Sequence, residues 1–334
     1  MKEKKLLTKS EVPPIFQQPY ITSAYRRPYC GPLQCIKYAF TLHNDVGNFW
    51  THFVTLIVWL MWLPFIMRDY DLSTDYNAPL LCYWIGCCSY VLFSSVAHMF
   101  SPLSDVMCHV CWMLDYAGIS IYMYMVGLAY YYYERPLTLT FYKWEYLHLA
   151  VQTGLTIPAF TASSLSRFYW GRYQHFIRAV TFIPAFLSDL VTVLLRWSEC
   201  HSEECIPSSV PYHACMISCC VLFILVFIIR IPERFAPPGK FDVFFQSHQL
   251  FHVLNSIATT ALTKLLLVDS RERQAILTED AKLTGVFPSA YKVYGLFLTT
   301  LTVKLCIILV LWVLLHKGVI KGNKQISSEH DKSS

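Results

Sequence analysis

The sequence predicts an all-α polytopic membrane protein with eight membrane-spanning helices. Of its 334 residues, 55% are hydrophobic and only 15% are charged, whereas soluble domains carry roughly a quarter charged residues. The mean hydropathy is +0.39. A soluble enzyme of this composition would expose more apolar surface than water tolerates, and a disordered chain needs the opposite composition. Both classes are therefore excluded, and lipid is the expected solvent.

Eight apolar stretches are long enough to cross a bilayer, which takes about 20 residues of helix for roughly 30 Å of hydrocarbon. The fourth and seventh stretches are the most polar, because the fourth contains Gln152 and several Thr and Ser residues and the seventh contains His248 and His252. We place the spans at about 50–68, 79–100, 108–131, 144–163, 175–195, 212–230, 241–264 and 291–316.

The distribution of basic residues predicts the orientation, because Lys and Arg near span ends stay on the cytosolic side. A cytosolic N-terminus gives that side 17 of the 27 Lys and Arg residues and the other side nine, with Lys304 inside the eighth span. Both termini are therefore expected in the cytosol. Cys200 and Cys205 then lie in an exterior loop, where a disulfide can form. The net charge of +5 is explained by these cytosolic Lys and Arg residues. They do not form one long basic tract, so we expect no nucleic-acid partner.

The predicted topology divides the chain into five parts. They are a cytosolic N-terminal segment (1–48), a seven-helix transmembrane core (49–266), an exterior loop (267–290), an eighth transmembrane helix (291–316) and a cytosolic tail (317–334).

Several ionisable residues lie at one depth of the predicted core. His98 ends the second span, Asp115 lies about two turns into the third, and His248 and His252 lie in the early turns of the seventh. Such side chains are costly within a membrane and face the bundle interior by default. Under the predicted topology all four lie toward the cytosolic end, so we expect them to meet.

The spacing of these residues favours a metal site. His248 and His252 are four residues apart and project from one helix face, and Ser94 and His98 repeat this spacing. A His-x-x-x-His pair alone is more often structural, but a third histidine at matching depth gives three nitrogen ligands with an open position, the pattern of catalytic zinc. Asp115 is then placed to accept a proton from metal-bound water, and Ser94 to fix the water or polarise a substrate carbonyl.

Other polar residues lie away from this cluster. Tyr130–Tyr133 follow the third span and are expected to form an aromatic belt at the membrane interface. Asp189 in the fifth span and Lys304 in the eighth lie near mid-membrane. They are candidates either to pair with each other or to meet a polar group of a ligand.

Four motifs lie in a fixed order along the chain. They contain Asn44, Asp45, Asn48 and His52, then Ser94 and His98, then Asp115, and finally Asp242 leading to His248 and His252. Their order and spacing resemble the progestin and adipoQ receptor family across spans one to seven. That family's first motif normally reads Asn-Glu-x-x-Asn with a following His, and here an aspartate keeps the acid.

The resemblance implies a seven-helix adiponectin-receptor-like bundle with an added eighth C-terminal helix. It also implies that His98, His248 and His252 bind Zn²⁺ and that Asp115 holds the zinc water. The remaining matched residues are expected to support the site, namely Asn44, Asp45, Asn48, His52 and Asp242.

The eighth span and the N-terminal stretches Val12–Phe16, Pro19–Ile21 and Tyr25-Arg26 resemble the progestin branch of the family. This branch implies a steroid ligand sensed at the plasma membrane and rapid signalling through an inhibitory G protein. The open zinc position leaves a second function open, a zinc-dependent lipid amide hydrolase of ceramidase type with Asp115 as the base. A purely structural zinc is the third alternative.

Overall fold

In the computed structural model, residues 6–198 and 206–322 are described. Cys200 and Cys205, the two cysteines between which a disulfide can form, lie outside these ranges. Within them the chain is helical and contains no strand beyond one isolated bridge between Leu7 and Tyr25. The α-helices are α1 (Pro32–Tyr38), α2 (Val46–Asp69), α3 (Ala78–Phe100), α4 (Asp105–Tyr133), α5 (Glu145–Leu165), α6 (Gln174–Val180), α7 (Ile183–Ser198), α8 (Val210–Ile229), α9 (Ser247–Glu272), α10 (Gln274–Thr284) and α11 (Ala290–His316).

Seven segments of the described chain are long and apolar enough to cross a membrane, which confirms the predicted class of all-α polytopic membrane protein. They are α2, α3 with its C-terminal turn, α4, α6 and α7 taken together, α8, α9 and α11.

The fourth predicted span forms α5, a 21-residue helix that is not among these seven. Its polar residues Gln152, Thr156, Ser163 and Ser164 are buried. They face neighbouring helices rather than lipid, which explains why α5 reaches helical length without the hydropathy of the others.

The seventh predicted span begins later than expected, at Ser247 instead of near residue 241. The Glu233 carboxylate accepts a hydrogen bond from the Ser247 amide at 2.7 Å and so caps the helix. Gln246 donates its side-chain amide to the backbone carbonyls of Asn44 and Asp242 at 2.8 and 2.7 Å. These contacts hold the apolar-looking stretch before Ser247 as a loop.

The largest apolar cluster lies between α3, α4 and α9. Gly118 of α4 lies so close to α3 that a Cβ atom would come within 2.9 Å of the Tyr90 Cα. This glycine therefore sets the separation of the two helices that carry His98 and Asp115.

The aromatic belt predicted for Tyr130–Tyr133 is wrong, because all four side chains are at most 2% exposed. Tyr133 donates its hydroxyl to the Tyr76 backbone carbonyl at 2.5 Å, and the Tyr131 ring stacks on His148. The last turn of α4 is covered by other elements, so these rings pack inside the bundle.

Asp189 and Lys304 do not pair. The Asp189 Oδ1 atom accepts a hydrogen bond from Gln152 Nε2 at 2.9 Å. Lys304 Nζ is buried and has no hydrogen-bond partner among the described residues. The segment 267–290, expected as an exterior loop, contains the end of α9 and the whole of α10.

Candidate metal centre and cavity

Three histidines from two helices converge inside the bundle. His98 comes from the last turns of α3, and His248 and His252 come from the first turns of α9. One ring nitrogen of each lies within 4.8 Å of those of the other two, and the Nε2 atoms of His98 and His248 are 3.3 Å apart. The structure thus brings together the three predicted ligands.

Asp45 fixes the orientation of His98. Its Oδ1 atom lies 2.9 Å from His98 Nδ1 and accepts a second hydrogen bond from Asn48 Nδ2 at 2.7 Å. Its Oδ2 atom pairs with Arg26 at 2.8 Å. Burial favours the protonated carboxyl, but the interactions with His98, Arg26 and Asn48 hold the pKa of Asp45 well below its usual range. An ionised Asp45 directs the other ring nitrogen of His98 toward the centre.

The first turns of α2 orient His252. Its Nδ1 atom lies 3.2 Å from the backbone carbonyl of Asn48 and 3.0 Å from the Thr51 hydroxyl. The His52 ring stacks on the His252 ring with centroids 3.7 Å apart. A ring whose Nδ1–H donates to Asn48 keeps the Nε2 lone pair available for a metal.

Asp115 and Ser94 lie on the wall of a cavity that also contacts His98 and His252. Both are buried. They lie beside the histidines as expected but do not belong to the group whose ligand atoms converge. Their position allows them to contact a bound molecule.

The remaining predicted site residues lie one layer further out. The Asp242 carboxylate accepts hydrogen bonds from the Thr22 amide at 3.1 Å, the Thr22 hydroxyl at 2.8 Å and the Ser23 hydroxyl at 2.6 Å. The Asn44 carbonyl accepts from Gln246, as described above. Asp242 and Asn44 therefore tie the N-terminal segment to the loop before α9 rather than touch the histidines.

Sequence reasoning did not assign roles to Arg26 and Thr51. Besides pairing with Asp45, Arg26 donates to the backbone carbonyls of His98 and Met99, the latter at 3.0 Å. Two sequence features could have indicated roles for these residues: Arg26 lies in the N-terminal Tyr-Arg motif, and Thr51 directly precedes His52. Neither signal indicates which helix the side chain meets.

The cavity has a volume of about 390 Å³ and extends from the histidines along α4 to Tyr130 and Asp189. The N-terminal segment contributes to the wall at the histidine end. Aromatic and aliphatic side chains supply most of the middle wall, among them Tyr122, Met123, Val126, Phe186, Phe223 and Phe227.

The separation of two of the three donors fits zinc. Two nitrogen ligands at 2.0 to 2.1 Å from a tetrahedral ion lie about 3.3 to 3.4 Å apart, and the Nε2 atoms of His98 and His248 are separated by 3.3 Å. Histidine ligands of zinc usually donate their second nitrogen to a carboxylate or a carbonyl. Asp45 and the Asn48 carbonyl take these places for His98 and His252.

A second group of potential ligands, Glu134, His213 and Asp269, lies near the other ends of α4 and α9. Arg196 forms ion pairs with both carboxylates, at 2.5 Å to Asp269. Because a guanidinium already occupies this group, we interpret it as a buried ion-pair cluster and not as a metal site.

Comparison with known proteins agrees with the family resemblance of the sequence motifs. A family model described as haemolysin-III related matches residues 40–263, which include every histidine of the cluster. Membrane progestin receptor delta of Mus musculus is 31% identical over 300 residues, which cover 86% of this chain and 85% of that protein. Membrane progestin receptor gamma of Homo sapiens is 31% identical over 288 residues, covering 84% and 86%. Membrane progestin receptor alpha of Cynoscion nebulosus is 29% identical over 278 residues, covering 79% and 76%.

Proposed function

Because this chain belongs to the haemolysin-III-related family, and within it to the progestin and adipoQ receptors predicted from its motifs, we propose that it is a plasma-membrane receptor for a progestin-class steroid. The receptor is built around a zinc ion held by His98, His248 and His252. One observation carries the proposal: the three histidines lie on the wall of an apolar cavity inside the helical bundle.

The cavity suits a steroid in size and in chemistry. Its volume of about 390 Å³ falls in the range of about 300 to 1,000 Å³ typical of small-molecule sites. Such sites combine apolar walls with a few placed polar groups. Here rings and aliphatic side chains line the middle, and polar residues lie at both ends. This distribution matches a rigid apolar ligand that carries oxygen at its ends.

The chain's own residues support a role for zinc. Asp45 and the Asn48 carbonyl hold His98 and His252 in the orientation a metal needs. When bound, zinc would supply a Lewis acid at one end of the cavity. Asp115, on the wall beside it, is placed to accept a proton from a ligand or water at that end.

The proposed topology places both termini in the cytosol, which requires an even number of spans. The seven apolar segments and α5 together make eight. The excess of Lys and Arg on the proposed cytosolic side supports this orientation. The N-terminal segment and the loop before α9 then face the cytosol, where an inhibitory G protein would bind.

Equilibrium binding of labelled progesterone tests the receptor function. Membranes from cells that express the chain are compared with membranes from matched cells that do not. Specific, saturable binding in the expressing cells alone is the expected result. Equal, non-saturable uptake by both membranes would overturn the proposal.

The placement of Asp115 and Ser94 favours one alternative, a zinc-dependent lipid amide hydrolase. Both side chains face the cavity beside the histidines, where a carbonyl could be polarised and water deprotonated. Purified protein would then release fatty acid from ceramide, and an Asp115→Ala variant with normal zinc content would not. Intact ceramide with both proteins would remove this alternative and leave the receptor function.

A further inference from the structure

We propose that Asp189 and Tyr130 form a second polar subsite in the same cavity, at the end opposite the histidines, that Gln152 positions Asp189, and that the subsite binds a hydroxyl group of the ligand. The inference rests on the proposed steroid-binding function. It adds a specificity for a hydroxyl over a ketone at one end of the steroid.

The subsite is built by three helices. Asp189 of α7 is 4% exposed and lines the cavity, and Gln152 of α5 donates its Nε2 to Asp189 Oδ1 at 2.9 Å. The Gln152 amide lies against Gly127 of α4, where a Cβ atom would come within 2.4 Å of it. Close packing against this glycine holds the amide in place and keeps its donor directed at Asp189.

The subsite offers unpaired polar atoms to a ligand. The Tyr130 hydroxyl is buried and has no hydrogen-bond partner among the described residues. Among the described residues, no Lys, Arg or His forms an ion pair with Asp189. The hydrogen bond from Gln152 engages only one of the two carboxyl oxygens of Asp189. Burying such groups without partners is costly. A ligand group that donates a hydrogen bond would remove this cost.

The subsite and the histidine cluster are far apart. Asp115 and Tyr130 both line the cavity on α4 and are fifteen residues apart, which corresponds to about 22 Å along the helix axis. Asp189 lies at the same level of α4 as Tyr130, because its partner Gln152 packs against Gly127, three residues before Tyr130. One end of a steroid can therefore contact Asp189 while the ring system lies along the apolar wall formed by Val126 and Met123.

The chemistry of the subsite predicts which ligands it selects. A steroid hydroxyl can donate a hydrogen bond to the free oxygen of the Asp189 carboxyl and at the same time accept one from the Tyr130 hydroxyl. A ketone at the same position can only accept, so it forms one hydrogen bond fewer with this pair. Sites built to hydrogen-bond a hydroxyl discriminate strongly against analogues that cannot form the bond. We therefore expect the cavity to prefer the hydroxyl form of a steroid at the end that meets Asp189.

Competition binding tests this preference. Progesterone, its 20-hydroxy reduction product and its 3-hydroxy reduction product compete with labelled progesterone for membranes that contain the full chain. At one of the two positions, the wild-type protein should bind the hydroxyl form about tenfold to a hundredfold more tightly than the ketone. Asp189→Asn, whose amide presents a donor, should abolish or invert that preference. Asp69→Asn, which alters an exposed carboxylate paired with Arg68, should leave it unchanged.

Tyr130→Phe provides a second test should Asp189→Asn fail to fold. It removes only a hydroxyl, and we expect it to reduce the preference by severalfold. Steroids that bind wild type without a preference, or a preference that survives both Asp189→Asn and Tyr130→Phe, would overturn the subsite while leaving the receptor function intact. Absence of any specific steroid binding to wild type would overturn both.

Discussion

The carboxylate of Asp45 lies 2.9 Å from Nδ1 of His98, although the two residues are 53 positions apart in sequence. Asp45 precedes the first residue of α2, and His98 lies in the last turns of α3. The acid of the first family motif therefore acts on the histidine of the second. This contact explains why an acid is needed at a position that does not itself face the three-histidine centre.

Replacing Asp45 should weaken zinc binding. Loss of a carboxylate that orients a metal-binding histidine typically costs about tenfold to a hundredfold in affinity, and we expect this loss for Asp45→Asn. Zinc affinity is measured by competition with a chelator. Asp45→Glu, which restores the acid usual at this motif position, should retain most of the affinity. Equal losses in both variants would contradict an orienting role for the carboxylate.

Removal of Arg26 should destabilise the protein. The side chains of Arg26 and Asp45 are each only 6% exposed, and breaking a buried pair by deleting one partner costs about 3 to 5 kcal/mol. Arg26→Met should therefore lower the thermal unfolding midpoint in detergent. Arg68→Met removes the guanidinium of an exposed pair and should change the midpoint little. Similar shifts in both variants would contradict the burial argument.

The contact between α3 and α4 should not tolerate a larger residue at Gly118. A methyl group there would approach the Tyr90 Cα to 2.9 Å, and overpacking typically costs about 1 to 3 kcal/mol. We expect Gly118→Ala to lower the unfolding midpoint. Gly154→Ala in α5, where a Cβ meets nothing within 4 Å, should be neutral or slightly stabilising. The opposite order of stability would show that the helices do not depend on this close approach.

Asp242 should hold the N-terminal segment against the bundle. Its carboxylate accepts three hydrogen bonds from Thr22 and Ser23. Asp242→Ala removes them all, so limited proteolysis should cleave the N-terminal segment several times faster. Asp280→Ala, which removes the partner of Arg135, serves as the control and should not change cleavage of this segment. Unchanged cleavage in Asp242→Ala would mean that other contacts retain it.

The convergence of the histidines could be predicted because helical spacing, the order of the spans and the charge asymmetry can all be read from the sequence. Helical periodicity places His248 and His252 on one face, and span order with the charge asymmetry places His98 at the same depth. The costliness of polar groups in lipid indicates that they face inward. The three histidines are therefore expected to meet, and their ring nitrogens lie within 4.8 Å of one another.

Contacts that depend on lateral packing were not predictable in this way. Asp189 lies near mid-membrane as expected but meets Gln152 instead of Lys304, since sequence does not give the neighbours of a helix. Tyr130–Tyr133 have an interfacial composition, yet other elements cover them. The Arg26–Asp45 pair could not be predicted, because it depends on how the N-terminal segment folds back on the bundle.

Zinc content per chain tests the central claim most directly. Elemental analysis is made on detergent-purified wild type and on a His248→Ala/His252→Ala variant, with a His316→Ala variant as a control for surface histidines. We expect about one zinc per chain in wild type and in His316→Ala, and none in the double variant. Purified wild type that holds no zinc, or a double variant that holds as much as wild type, would contradict the proposed centre.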